Sequence, residues 1–391
     1  MKNIAVVTGT RAEYGLLKPL LKAITKSDNL NLQLLVTGMH LMPEFGNTYL
    51  QIEEDGFKID AKIEDGLKGD GALSITKAIG KSTIGFAETY HNLKPKLLVV
   101  LGDRSEILAA VIAAVIANIP VAHIHGGETT EGAYDEFIRH AITKMSHLHF
   151  ASCEAYRNRI IQLGEQPSSV FNVGAIGIDS IKKLKLLERE EFEKSIAFSL
   201  NKTNVLITFH PVTLETATAE FQFQELLSAL DLITNSTLIF TKPNSDKGGD
   251  VIIKMIDSYV AKNSQKAIAF KSLGQLRYLS ALEHVDFVIG NSSSGIIEVP
   301  YFRIPTINVG DRQKGRITPK SIINCEPYTS SITKAILKAT DSTFLKETKN
   351  QKLLFGDGTA TKKIMRQLIK FNNLNLKKSF YDLNPIYFEK L

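Results

Sequence analysis

The stretch Leu97–Gly127, LLVVLGDRSEILAAVIAAVIANIPVAHIHGG, sets two short β-branched runs on either side of one apolar run. Lys96–Leu101 and Val121–Ile124 read as strands, and Ile107–Ala117 has helical spacing between them. Strands that are apolar along their whole length, joined through a helix, belong to a parallel sheet covered on both faces. The helical run is also the longest apolar stretch in the chain. Asn118 and Pro120 close it well short of the ~20 residues a membrane-crossing helix needs, which excludes a membrane partner.

The same rhythm extends outward. Ile4–Thr8, Leu32–Thr37, Leu148–Ser152 and Val170–Val173 read as further strands, with a helix over Tyr14–Ile24. After Gly174 the pattern changes: Ile181–Phe198 (IKKLKLLEREEFEKSIAF) is highly charged, offers little apolar surface and reads as a linker with a peripheral helix. The alternation restarts at Asn204–Thr208, Thr237–Thr241, Ala267–Phe270, Phe287–Ile289 and Pro305–Val309. The expected class is α/β, with two Rossmann-like, doubly wound parallel-sheet domains facing a cleft. The boundaries fall at 1–178, an N-terminal domain with the acid–base residues, and 179–365, a nucleotide-binding domain. A basic, aromatic C-terminal segment, 366–391, is expected to dock on the first domain.

At 391 residues, 43% hydrophobic and 23% charged, the chain has the size and balance of a two-domain globular protein. A net charge of +6 is small for this length and is not clustered; with no Trp and 8% aromatics, nucleic-acid binding is not expected. Cys153 and Cys325 are far apart and outside any CxxC spacing, so neither a disulfide framework nor a structural zinc is supported, and a cytoplasmic setting follows. The first residues, MKNIAVVTGTRAEYG, lack a secretory cleavage pattern and read as the first strand.

Chemistry is expected at the carboxyl ends of strands. The first strand ends in TGTRAEYG, where Gly9 permits close backbone approach and Arg11 at a helix start offers an anion site. Phe287–Ile289 runs into GNSSSGIIEVP: Ser292 and Ser293 suit a diphosphate, and Glu298 one turn on suits a ribose diol. GDRQKGR supplies Arg312, FHPVT supplies His210, and Asn244 in TKPNSDKGG can hydrogen-bond a base or ribose. The first domain holds the acids: Asp103 and Arg104 in GDRSE, then His125, Glu128, Asp135, Arg139 and His140 in HGGETTEGAYDEFIRH. Carboxylates interspersed with cations permit opposing protonation states, as acid–base chemistry requires. His123, His125 and Glu128 lack a third histidine at metal-binding spacing, so no metal is expected. GxGxxG, Walker and Ser-His-Asp patterns are absent, which removes dehydrogenase, NTPase and triad-hydrolase readings.

TGTRAEYG, VTGMH, LGDR, HIHGGETTEGAYDEFIRHAITKMSHLHF, FHPVT, GNSSSGIIEVP and GDRQKGR, in this order, resemble the hydrolysing UDP-N-acetylglucosamine 2-epimerases of sialic acid biosynthesis over nearly the whole chain. The resemblance implies a glycosyltransferase-B type fold, no cofactor, a homo-oligomer (dimer or tetramer), and release of N-acetylmannosamine and UDP through a 2-acetamidoglucal. It carries catalytic roles onto Asp103, Asp135 and His210, and nucleotide contacts onto Arg11, Asn244, Ser292, Ser293, Glu298 and Arg312. Non-hydrolysing relatives have Glu where this chain has His125, so His125 or Glu128 would take that residue's part. UDP-N-acetylglucosamine is the substrate expected first. Nucleotide-linked 2,4-diacetamido-2,4,6-trideoxyglucose, on the way to legionaminic acid, is the alternative, with Thr129–Tyr134 lining the end of the pocket that distinguishes the two. A glycosyltransferase and a non-catalytic nucleotide-sugar sensor are the competing readings.

Overall fold

The computed structural model describes residues 1–67, 69, 71–131, 134–211, 219–243, 249–371 and 376–383. The chain divides into two compact units, Met1–Lys182 with Phe355–Leu391, and Lys183–Leu354. No helix among the described residues is long and apolar enough to cross a membrane.

The first unit is built on seven parallel strands: β1 (Lys2–Thr8), β2 (Leu30–Thr37), β3 (Ala61–Ile63), β4 (Leu97–Leu101), β5 (Val121–Ile124), β6 (Leu148–Ala151) and β7 (Val170–Asn172), in the order β3-β2-β1-β4-β5-β6-β7. Side chains alternate between two cores. Ile4, Val6, Leu97 and Val99 face one, and Ala5, Val7, Leu98 and Val100 face the other. Because the sheet is covered twice, β4 is apolar at every position and β1 over Ile4–Val7, which is why they stand out in the sequence.

The second unit has six parallel strands: β8 (Thr203–Thr208), β9 (Ser236–Thr241), β10 (Ala267–Phe270), β11 (Phe287–Gly290), β12 (Thr306–Val309) and β13 (Ile322–Cys325), in the order β10-β9-β8-β11-β12-β13. Each sheet reverses its winding once, between β1 and β4 and between β8 and β11. The strand ends at such a reversal splay their loops apart and leave a crevice. At the second one, Gly290 has φ +143°, and a Cβ there would stand 1.9 Å from the Thr208 carbonyl oxygen, so only glycine fits.

Two details of organisation differ from the sequence reading. Residues 355–365, expected in the second domain, belong to the first unit. The amphipathic helix Ala360–Lys370 places Ile364 and Leu368 in the first core, and the Asp179 carboxylate caps it by accepting the Ala360 and Thr361 amides at 2.9 and 2.6 Å. The Ala175 amide meets the Phe355 carbonyl at 2.7 Å, anchoring the returning chain. Within the charged stretch Ile181–Phe198, the helix Arg189–Ile196 buries Phe192 and Ile196, with Phe192 5.5 Å from the His284 ring. It is an integral part of the second unit rather than a peripheral linker.

Candidate active site

In the first unit, β1 and β4 deliver their loops side by side. Thr10 caps the helix Arg11–Thr25 in a reciprocal box with Glu13, whose carboxylate accepts the Gly9 and Thr10 amides at 2.8 and 3.2 Å. Those amides are therefore not available to a phosphate. The close approach that Gly9 permits comes from within the chain: a Cβ there would lie 2.4 Å from Glu106 Oε1. Glu106 also accepts from Arg104 Nε at 2.6 Å. Burial, with the neighbouring Glu106 charge, pushes the Glu13 carboxyl up to about 8. Arg11, at the first position of the helix, is exposed.

The acids gather around the helix Asp135–Met145. Its Arg139 is buried and donates to the Glu128 carbonyl at 2.9 Å, to Thr130 Oγ1 at 2.8 Å, to Glu136 Oε2 at 2.5 Å and to Asp103. Glu136 also accepts the Thr130 amide at 2.6 Å and faces His140 Nε2 at 3.0 Å. Asp135 differs from its neighbours: half-buried, its carboxylate accepts no hydrogen bond from the described residues. Burial and the adjacent Asp103 charge raise its pKa against the pull of Arg104 and Arg139.

Glu128 and His125 are committed to each other and to the scaffold. His125, in left-handed backbone at φ +65°, accepts the Ile176 amide on Nε2 at 3.2 Å. Its ring proton therefore sits on Nδ1, 3.4 Å from Glu128 Oε1, which also accepts from Ser152 at 2.7 Å. His123, fully buried, bridges Thr143 at 3.2 Å and the Gly102 carbonyl at 2.8 Å, tying β5 to the turn that presents Asp103. No group of three or more potential metal ligands occurs among the described residues.

Burial pushes His123 down to about 3, and His40, held between Thr8 and Thr48, down to about 4. Unfolded, each binds a proton near the ordinary ~6.5, so below that pH the unfolded chain holds more protons and stability falls as pH drops. The urea midpoint of the first unit is expected to decline from about pH 6.5 down to about pH 3, with His40 contributing to about pH 4 and His123 to about pH 3. A flat profile would contradict buried neutral histidines.

In the second unit, Asn291 organises the crevice, and sequence reasoning missed it. Its side chain accepts the His210 amide at 2.7 Å and donates to the His210 carbonyl at 2.8 Å, while its own carbonyl accepts from Arg312 at 2.9 Å and Gln313 at 2.8 Å. Asn291 thus joins the loops after β8, β11 and β12, bringing His210, Ser292 and Arg312 onto one framework. The only sequence signal was its place directly after Gly290. Ser292 and Ser293 are partly exposed at the start of the short helix Ser294–Ile297. Glu298 accepts from Ser294, which also meets the Tyr278 hydroxyl at 2.7 Å, and burial raises the Glu298 pKa. Asn244 and the end of the HPVT motif lie outside the described residues, as do two positions within Thr129–Tyr134.

The family model described as UDP-N-acetylglucosamine 2-epimerase matches residues 22–369. The chain belongs to this enzyme family. It is 41% identical over 384 residues to the GDP/UDP-N,N'-diacetylbacillosamine 2-epimerase (hydrolyzing) of Campylobacter jejuni, covering 98% of this chain and 99% of that one. To the UDP-N,N'-diacetylbacillosamine 2-epimerase (hydrolyzing) of Legionella pneumophila it is 38% identical over 370 residues, 95% of this chain and 96% of the other. Among solved structures it is similar to the UDP-GlcNAc 2-epimerase of Neisseria meningitidis bound to UDP-GlcNAc, with a TM-score of 0.81 at 20% identity, covering 95% and 100% of the two chains. The fold is thus the expected α/β one, two doubly wound parallel sheets of the glycosyltransferase-B type.

Proposed function

We propose that this protein is a hydrolysing 2-epimerase of nucleotide-linked 2,4-diacetamido-2,4,6-trideoxyglucose (N,N'-diacetylbacillosamine), releasing the 2-epimeric free sugar and the nucleoside diphosphate. The observation that carries the reading is end-to-end similarity, at 41% identity, to a hydrolysing epimerase named for that sugar. It displaces UDP-N-acetylglucosamine, which the sequence motifs alone had placed first.

The residues divide the work by their surroundings. Asp135, whose carboxylate accepts no hydrogen bond from the described residues and is raised in pKa, removes the proton at C2, while the bond from C1 to the diphosphate breaks and a C1=C2 double bond forms. Water then adds its oxygen at C1, and a proton reaches C2 on the opposite face. Asp103, paired with Arg139, fixes the acid cluster and sustains the basicity of Asp135. Glu128, backed by Ser152 and His125, is the second carboxylate, to which we assign the return of the proton. Ser292, Ser293, His210 and Arg312 receive the diphosphate, with Arg11 and Arg104 offsetting its developing charge and Glu298 taking the ribose.

The test is incubation in D2O with UDP- and GDP-linked diacetamido-trideoxyglucose and with UDP-N-acetylglucosamine, followed by proton NMR. Release of the diacetamido-mannose epimer deuterated at C2, faster than any N-acetylmannosamine, is expected. Turnover of UDP-N-acetylglucosamine alone would return the assignment to that sugar. Binding without release would favour a transferase or a sensor.

A further inference from the structure

The segment Leu376–Leu383 lies against the end of the first unit that receives the C-terminus of the helix Asp135–Met145. Lys378 Nζ donates to the Lys144 carbonyl at 2.6 Å and to the Ser146 carbonyl, the last acceptors of that helix. It also pairs with Glu165 Oε2 at 2.8 Å. Glu165, with a side chain only 3% exposed, additionally holds Lys144 at 2.7 Å and His149 at 3.0 Å. Burial alone would raise the Glu165 pKa, but hydrogen bonds from His149, Lys144 and Lys378 outweigh it and hold it down to about 2.

The attachment extends along the segment. The Phe380 ring fills the space over Gly164, where a Cβ would stand 2.3 Å from it, and the Lys144 ammonium sits 4.8 Å from the ring centre. The Tyr381 amide donates to the Gly164 carbonyl at 2.9 Å, and Gln166 donates to Ser379 Oγ at 3.1 Å. A cation on the terminal carbonyls of a helix satisfies groups left without intrahelical partners and opposes the negative end of its dipole. Here that helix carries Asp135, Glu136, Arg139 and His140.

We propose that the C-terminal segment is a strap that positions the acid-bearing helix, with Lys378 as the positioning residue: it grips the helix end through the Lys144 and Ser146 carbonyls and is itself held by Glu165. Its effect on turnover rests on the function proposed above; its grip on the helix does not. The strap makes the register of the helix, and so the placing of Asp135 beside Asp103, depend on residues more than two hundred positions downstream.

The experiment is hydrogen exchange by mass spectrometry on the full chain carrying Lys378→Met, alongside steady-state kinetics. Amides of Asp135–Met145 are expected to exchange about tenfold faster, with those of Arg11–Thr25 unchanged. A fall in kcat of about tenfold with little change in KM is expected alongside, and Lys378→Arg should restore both. Wild-type exchange in Asp135–Met145 overturns the proposal whatever the activity. Equal acceleration in Arg11–Thr25 also overturns it, because the segment would then add only general stability. Should Lys378→Met fail to fold, Phe380→Ala is expected to give the same localised pattern at smaller amplitude, and wild-type exchange there overturns it too. Because exchange needs no substrate, a wrong sugar assignment leaves this arm readable.

Discussion

Asp135→Asn is expected to lower kcat by about 10²–10⁴-fold while leaving KM nearly unchanged, the range general acid–base catalysis supplies. The amide keeps the shape of the carboxylate and cannot accept the C2 proton. Among the neighbouring acids, Asp103 is paired with Arg139, Glu136 is shared by Arg139, His140 and the Thr130 amide, and Glu128 is held by Ser152. Asp135 alone of these keeps its oxygens clear of hydrogen bonds from the described residues. The base must be ionised, so kcat/KM rises with pH through its raised pKa. Asp103→Asn removes the adjacent negative charge and releases Arg139 from its ion pair; both changes lower the Asp135 pKa, so the acid limb of any remaining activity moves to lower pH. Near-wild-type turnover by Asp135→Asn would remove Asp135 from the mechanism.

The second large effect is on stability. Arg139 has a side chain 4% exposed and serves Asp103, Glu136, Thr130 and the Glu128 carbonyl together. Arg139→Met keeps much of the volume, leaves Asp103 and the Glu128 carbonyl without this donor, and leaves Glu136 only with His140 and the Thr130 amide. A loss of about 3–5 kcal/mol in unfolding free energy is expected, the usual cost of breaking a buried ion pair by removing one partner. Urea denaturation of the first unit measures it. Arg139→Lys should recover only part, because an ammonium cannot reproduce the planar fork that reaches four acceptors. A loss below about 1 kcal/mol would place Arg139 with exposed pairs, contrary to its burial.

How far this was readable in advance follows from the range of the forces involved. Eleven of the strands were foreseen from apolar runs, the central ones most plainly because burial on both faces favours apolar residues along their length. β3 and β13 were not foreseen: each is short and has its apolar run broken by a polar residue, Lys62 or Asn324, whereas the other two edge strands, β7 and β10, open on the apolar runs Val170–Phe171 and Ala267–Phe270. Asp103, Glu128, Asp135 and Arg139 could be found because they follow the carboxyl ends of two neighbouring parallel strands, β4 and β5, the edge at which such sheets gather their loops. Their division of labour could not. It depends on Ser152 meeting Glu128 and on the Ile176 amide meeting His125 across the fold, and no local pattern encodes those meetings. Asn291 escaped notice for the same reason: its bonds to His210 span eighty-one positions. The domain boundary was misplaced because the helix Ala360–Lys370 has the same local character whichever core it completes.

The return of residues 355–371 to the first unit has a bearing on how the chain is made. The ribosome releases the strands of the first sheet early, but the helix that supplies Ile364 and Leu368 to their core emerges only after the whole of Lys183–Leu354. The later unit is contiguous and has every one of its strands within that span. During synthesis the usual N-to-C sequence of domain maturation is therefore expected to be inverted. The insert is expected to complete its core first, while the half that bears the acids keeps an incomplete apolar face until residues 355–371 have emerged.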